Sequence, residues 1–197
     1  MSDLLLVRHG ETAWSVSGRH TGRTDVPLTA HGVEEAISLA PFFRDHHPAL
    51  VLTSPLRRAA ATAELAGLSG GVADPDLYEW DYGGYEGITT AEILRERPDW
   101  SLWTDGVPPG GPEHPGENAA QVGARADRVL ARVADLLHAD GGNVVLVAHA
   151  HLLRVLTARY LGLPPEAGRL FLLRTGTFSV LSREHGLPVV AGWNTSP

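Results

Sequence analysis

The run Arg8-His9-Gly10-Glu11-Thr12 directly follows the apolar stretch Leu4-Leu5-Leu6-Val7, which sets a guanidinium beside an imidazole at the end of a strand. Arginine grips oxyanions in a fork and an imidazole can attack phosphorus, so the pairing points to a phosphate site and covalent phosphohistidine chemistry. Alone the motif is short, and a single histidine at a strand end is more often structural. Further groups must converge on the same place.

Two other stretches supply them. Thr53-Ser54-Pro55-Leu56-Arg57-Arg58 ends the apolar run Leu50 to Thr53, and His149-Ala150-His151 follows Val144 to Ala148. In open α/β sheets, ligands sit beyond the carboxyl ends of the strands, where helix N-termini add backbone N–H donors and the positive end of a dipole. Successive helical residues point about 100° apart, so Arg57 and Arg58 do not both face one pocket. His149-x-His151 also has a spacing found in metallohydrolases, but Leu152-Leu153-Arg154 follows and the further ligands are missing. A metal site needs three or more ligands, so no metal and no cofactor are expected.

Phosphoryl transfer to an imidazole expels an alkoxide-like oxygen, which calls for an acid to protonate it and later a base to activate water. Glu79 is the leading candidate, in the glycine- and aromatic-rich stretch Leu77-Tyr78-Glu79-Trp80-Asp81-Tyr82-Gly83-Gly84-Tyr85-Glu86-Gly87. Aromatic neighbours there can raise a carboxyl pKa by desolvation. Asp81 and Glu86 compete for the role on local chemistry alone.

The elements that must position these groups alternate between strand-like and helix-like, the pattern of an α/β fold with a mostly parallel sheet. Leu4 to Arg8, Leu50 to Thr53 and Val144 to Ala148 are apolar at consecutive positions, as strands covered on both faces should be. Weaker strands are read at Phe171 to Leu173, Thr177 to Leu181 and Val189 to Ala191, with a hairpin around Glu184-His185-Gly186. Thr29 caps a helix carrying Val33, Ile37 and Ala40 on its inner face. Asn118 and Gln121 form a capping box before Val122, Ala126, Val129, Val133 and Leu136. Ala59 to Ala66 and His151 to Leu161 are further helices, the latter stopped by Gly162 and Pro164. The stretch Val107 to Gly116, rich in Pro and Gly, is a loop.

Composition narrows the function. The chain has 197 residues, ordinary apolar content, a net charge of −7 and no cysteine. That suits one domain, spanning residues 1–197, and excludes disulfides and thiolate chemistry. The charge argues against a general nucleic-acid binder, and no stretch is long and apolar enough to span a membrane. The start lacks a signal-peptide pattern, so the chain reads as cytoplasmic. The partner expected is a small phosphorylated substrate, with no nucleic acid and no membrane; a homodimer is the oligomeric option left open.

Taken together the motifs resemble the histidine phosphatase superfamily, also called phosphoglycerate mutase-like, over essentially the whole chain. The residues that carry the resemblance are Arg8 to Thr12, Thr21-Gly22 with Asp25, Ser54-Pro55-Leu56 with Arg58-Ala59 and Thr62-Ala63, Glu79 with Gly83 and Glu86-Gly87, and Val147-Ala148-His149. The resemblance implies a three-layer αβα sandwich and no metal. It also implies roles: His9 as phosphorylated nucleophile, Arg8, Arg58 and a protonated His149 as phosphate clamp, and Glu79 as general acid, protonated at the start of the cycle. Thr21, Gly22 and the Ala150 N–H belong near phosphate or substrate, and Ser15, His20 and Tyr82 join them as substrate-binding candidates. Trp14, Tyr85, Trp103 and His151 are further candidates for the pocket wall.

Within the superfamily, Arg19 to Asp25 and Glu79 to Gly87 are most similar to the fungal sedoheptulose 1,7-bisphosphatase and actinobacterial acid phosphatase branches. Mutases of the superfamily have Asn where this chain has Ser15, and a longer basic insertion after the general acid. Between Gly87 and Glu117 the basic residues outside histidine are Arg95 and Arg97. Holding a bisphosphorylated intermediate needs more positive charge, so hydrolysis is favoured over mutase activity. A non-catalytic phosphate-binding module is disfavoured because His9, Arg58, Glu79 and His149 are all present. The loop Val107 to His114 departs from those branches and is expected to bear on substrate choice.

Overall fold

A computed structural model describes residues 2–44, 47–68, 70–139 and 141–197. Its elements in chain order are β1 (Leu4–Arg8), α1 (Ala13–Ser17), α2 (Ala30–Ser38), α3 (Ala40–Arg44), β2 (Leu50–Thr53), α4 (Arg57–Leu65), β3 (Val72–Ala73), α5 (Thr90–Glu96), α6 (Leu102–Asp105), α7 (Ala119–His138), β4 (Val144–Ala148), α8 (Ala150–Tyr160), β5 (Phe178–Glu184) and β6 (Leu187–Thr195). The strands form one sheet in the order β3-β2-β4-β1-β5-β6. The pairs β3/β2, β2/β4 and β4/β1 are parallel. β5 is antiparallel to both β1 and β6, so β6 again runs with the first four.

The consecutive apolar runs are explained by what lies on each side. Leu4 and Leu6 of β1 and Val144 and Leu146 of β4 enter one buried cluster, with Val122, Ala126, Val129 and Val133 of α7 and Leu152, Leu153 and Leu156 of α8. Leu5, Val7, Val145 and Val147 enter the opposite cluster, with Phe43, Ala59 and Ala63 from α3 and α4. Alternate side chains of a strand face opposite ways, so a sheet sandwiched between helices must be apolar at every position. The fold is thus the three-layer αβα sandwich, with a mostly parallel sheet.

Caps and turns follow local chemistry. Thr29 and Asn118 accept hydrogen bonds from Gly32 N and Gln121 N, and Gln121 completes the capping box. The β5–β6 hairpin turns at His185 and Gly186, both with positive φ, as a two-residue turn of matching twist requires. Two readings need correction. Ile37 is half exposed and the inner face of α2 is Gly32 and Ala36, because a second backbone approaches Gly32 too closely for a larger side chain. Phe171 to Leu173 is not a strand: the Leu173 and Leu172 carbonyls accept side-chain donors, Arg8 Nη1 and Trp193 Nε1, in place of a ladder. Among the described residues no helix is long and apolar enough to cross a membrane.

Candidate active site

Register builds the site. Arg8 pairs with Ala148, so β1 and β4 end level and hand on directly to His9 and His149. The His9 N–H donates to the Ala148 carbonyl at 3.1 Å, and the two imidazoles meet edge to face with centroids 5.1 Å apart. On the other side of β4, Ser54 N donates to the Val147 carbonyl, which brings Ser54 beside His149. Three strand ends therefore deliver their polar residues to one place, as the sequence pattern implied.

His9 is buried and its Nδ1 lies 2.7 Å from the Gly10 carbonyl. A carbonyl can only accept, so Nδ1 carries the hydrogen and a neutral ring keeps its lone pair on Nε2. Burial, and then the positive charges of Arg58 and Arg8, hold the His9 pKa well below its usual 6.5, which keeps the ring neutral. The turn that carries His9 is tight. A Cβ on Gly10 would overlap the Gly32 carbonyl, while Gly10 N donates to Thr62 Oγ1, which itself donates to the Arg58 carbonyl.

Arg58 is fully buried, and it, rather than the exposed Arg57, reaches the site. Its Nε donates to His149 Nδ1 at 3.1 Å, Nη1 to the Thr24 carbonyl, and Nη2 to the carbonyls of Thr21 and Gly22. Arg57 instead pairs with Asp25 at the surface. Because Arg58 always donates, His149 Nδ1 is an acceptor and its hydrogen sits on Nε2, 2.7 Å from Ser54 Oγ. Burial and the charge of Arg58 hold the His149 pKa well below 6.5. The protonated His149 expected from the sequence is thus replaced by a neutral ring: a cation beside Arg58 with no solvent contact has no counter-charge.

Of the three carboxyl candidates only Glu79 lines the cavity at this edge, a space of about 200 Å³. Its Oε1 accepts from Trp80 N and Leu152 N, and Oε2 from His151 N alone. The last two donors belong to the first turn of α8, whose N–H groups have no helical partner. Oε2 is the oxygen with room for a proton. Asp81 instead turns inward to accept from Gly83 N, and Glu86 accepts from the backbone N–H groups of Gly22 and Thr24.

The cavity wall gathers most of the remaining candidates. Arg8, Ser15, His20, Thr21, Tyr82, Ala150 and His151 all reach it. Arg8 Nη1 donates to the Leu173 carbonyl at 2.5 Å while its Nε is buried without a partner, a donor available to an oxyanion. Ala150 opens α8, so its N–H is unmatched by the helix. His20 Nδ1 is held by the Ile88 carbonyl and His151 Nδ1 by the Tyr82 hydroxyl at 2.6 Å. Gly22 stands behind the wall, its N–H taken by Glu86 and its carbonyl by Arg58. Trp14, Tyr85 and Trp103 pack behind it as well.

Thr12, Gly18, Arg19 and Thr90 also line the cavity and were missed. Arg19 sits inside the stretch Arg19 to Asp25 that carried the resemblance, so its charge was the available signal. The loop 107–116 does not reach the wall. It packs against the back of the Glu79 segment, with Gly84 N donating to the Pro108 carbonyl and no room for a Cβ at Gly83. Among the described residues, no three His, Cys, Asp or Glu are grouped so as to hold a metal ion.

Comparison with known proteins places the chain and its fold in a family. The family model for the histidine phosphatase superfamily (branch 1) matches residues 4–196. The chain is 41% identical over 190 residues to an acid phosphatase of Mycobacterium tuberculosis, covering 95% of this chain and 90% of that protein. It is 35% identical to sedoheptulose 1,7-bisphosphatase of Saccharomyces cerevisiae, over 81% of this chain and 67% of that protein. A solved structure of an open reading frame product from Mycobacterium tuberculosis superposes with a TM-score of 0.90 at 39% identity, covering 99% of this chain and 98% of that one. A family model that spans nearly the whole chain and relatives at this level of identity and coverage show that the chain belongs to the histidine phosphatase superfamily, branch 1.

Proposed function

We infer that this chain hydrolyses phosphomonoesters of small metabolites through a phosphohistidine on His9. The observation that carries the reading is the His9 ring itself: neutral, with Nδ1 tied to the Gly10 carbonyl and Nε2 left as the nucleophile. In the first step Nε2 attacks phosphorus and the bond to the leaving oxygen breaks. Glu79 Oε2 gives that oxygen a proton, and Arg8 with the Ala150 N–H stabilises the charge on the phosphoryl oxygens. In the second step Glu79 takes a proton from water, whose oxygen displaces Nε2 and releases phosphate.

Arg58 and His149 act from behind the cavity. Neither lines it: His149 packs edge to face against the His9 ring, and the charge of Arg58 withholds a proton from that ring. Several hydroxyl and imidazole groups on the wall, among them Thr12, Ser15, Tyr82 and Thr90, suit a hydroxylated leaving group such as a sugar. A cavity of about 200 Å³ falls below the range for drug-sized ligands and favours a small one. Hydrolysis is favoured over mutase activity because neither Arg95 nor Arg97 reaches the wall, and Arg97 donates to the Tyr85 hydroxyl instead. All these groups come from one chain, so the reading does not depend on a homodimer.

The test is a panel of sugar phosphates, sugar bisphosphates and 3-phosphoglycerate, with and without 2,3-bisphosphoglycerate, beside a His9→Ala control. Phosphate release that vanishes in the control is expected. Primer-dependent isomerisation without release would replace this reading with a mutase.

A further inference from the structure

Arg125 takes no part in the chemistry above and does not reach the cavity, yet it is buried inside the protein on α7. Its Nε and Nη2 form a two-pronged pair with Glu117, both at 2.8 Å. Nη1 donates to the carbonyls of Asp76 and Tyr78, each at 2.8 Å, and Nη2 also to the Glu79 carbonyl at 3.3 Å. The five N–H donors of a guanidinium thus meet five acceptors. Glu117 extends the hold: its Oε2 accepts from Asp81 N, its N–H donates to the Asp81 carbonyl, and its carbonyl accepts from Trp80 Nε1.

The segment between the short 3₁₀ turns Pro75–Leu77 and Gly83–Tyr85 has neither helix nor strand to fix it. The Arg125–Glu117 pair holds its backbone at residues 78, 79 and 81, its Trp80 side chain, and the Asp76 carbonyl in the turn before it. A buried ion pair is poor value for stability, since desolvation offsets most of the attraction, whereas its directional fork fixes geometry well. Glu79 is tied at its other end to the first turn of α8. Its carboxyl therefore stands between two supports, one on the backbone from α7 and one on the side chain from α8.

We propose that Arg125, through Glu117, is the positioning residue that sets Glu79 Oε2 at the height needed to protonate the leaving oxygen. The proposal rests on Glu79 being the general acid. It predicts a selective defect: loss of the strap should harm esters whose leaving group needs a proton and spare those whose leaving group does not.

The test compares kcat/KM for β-glycerol phosphate, which expels an alkoxide, with p-nitrophenyl phosphate, which expels a stabilised phenolate. Arg125→Lys keeps the charge but loses the fork; Glu117→Gln keeps the size of the side chain but leaves one acceptor oxygen in place of two, so one prong of the pair is lost. Each is expected to lower kcat/KM for glycerol phosphate by about 100-fold and for p-nitrophenyl phosphate by less than about fivefold. A parallel fall on both esters, or no fall on either, overturns the proposal. Thermal melting identifies a variant that fails to fold, in which case Glu117→Gln carries the test. Glu79→Gln separates the two claims: if it shows no leaving-group selectivity, the general-acid reading has failed; if it does and the strap variants do not, only the strap has failed.

Discussion

Arg58 Nε donates to His149 Nδ1 across 3.1 Å in a region closed to solvent, so one bond fixes the tautomer of the second histidine and sets a permanent cation beside the first. After burial, that cation is the largest influence lowering the His9 pKa, with Arg8 next. Arg58→Met removes it, and the His9 pKa should rise toward 6.5. The acid limb of kcat/KM should lie below pH 6.5 in the native protein and move to higher pH in the variant. An NMR titration of the His9 imidazole checks the same shift without turnover; an unmoved or lowered pKa would remove Arg58 from this role.

The same two rings contribute to the pH dependence of stability, beside His151, whose pKa burial also holds well below 6.5. His9 and His149 have folded pKa values well below the unfolded 6.5, so between those values the unfolded chain takes up protons that the folded one refuses. Stability is therefore unaffected by these groups above pH 6.5 and falls as pH drops below it, by about 1.4 kcal/mol per pH unit for each ring. Urea unfolding at steps between about pH 7 and pH 5 measures the slope. The double variant His9→Asn, His149→Asn should flatten it by about 3 kcal/mol per pH unit. Equal slopes in the two proteins would mean that the rings titrate normally when folded.

Gly10 and Gly32 let two backbone segments touch behind His9. A methyl at Gly10 would overlap the Gly32 carbonyl, a backbone atom that cannot swing aside. Gly10→Ala should cost about 1–3 kcal/mol of stability and displace the nucleophile, lowering both the melting temperature and kcat. Unchanged melting would show that the turn relaxes freely.

Much of this was legible in the sequence because the strands are apolar at every position and each ends in polar residues. Leu4 to Arg8 and Val144 to Ala148 could only be central strands, and once adjacent they bring His9 and His149 together. Glu79 could not be separated from Asp81 and Glu86 by local chemistry, since all three lie in one irregular segment. The choice is made by the α8 N–H groups that face Glu79, a contact 72 and 73 residues away in sequence. The neutral state of His149 was hidden for the same reason: it depends on a guanidinium 91 residues distant. Ile37 misled because helical spacing names a face without saying which neighbour, here Gly32 against Glu11, fills it. Arg125 carried no signal beyond its charge on an amphipathic helix.

The central claim is a covalent phosphate on His9 Nε2, and rapid-quench trapping tests it most directly. With a labelled phosphomonoester, the native protein should yield an alkali-stable, acid-labile phosphoenzyme within the first turnover, mapped by mass spectrometry to His9 and missing from His9→Ala. Multiple-turnover phosphate release with no phosphoenzyme on His9, or with the label on another residue, would contradict the account.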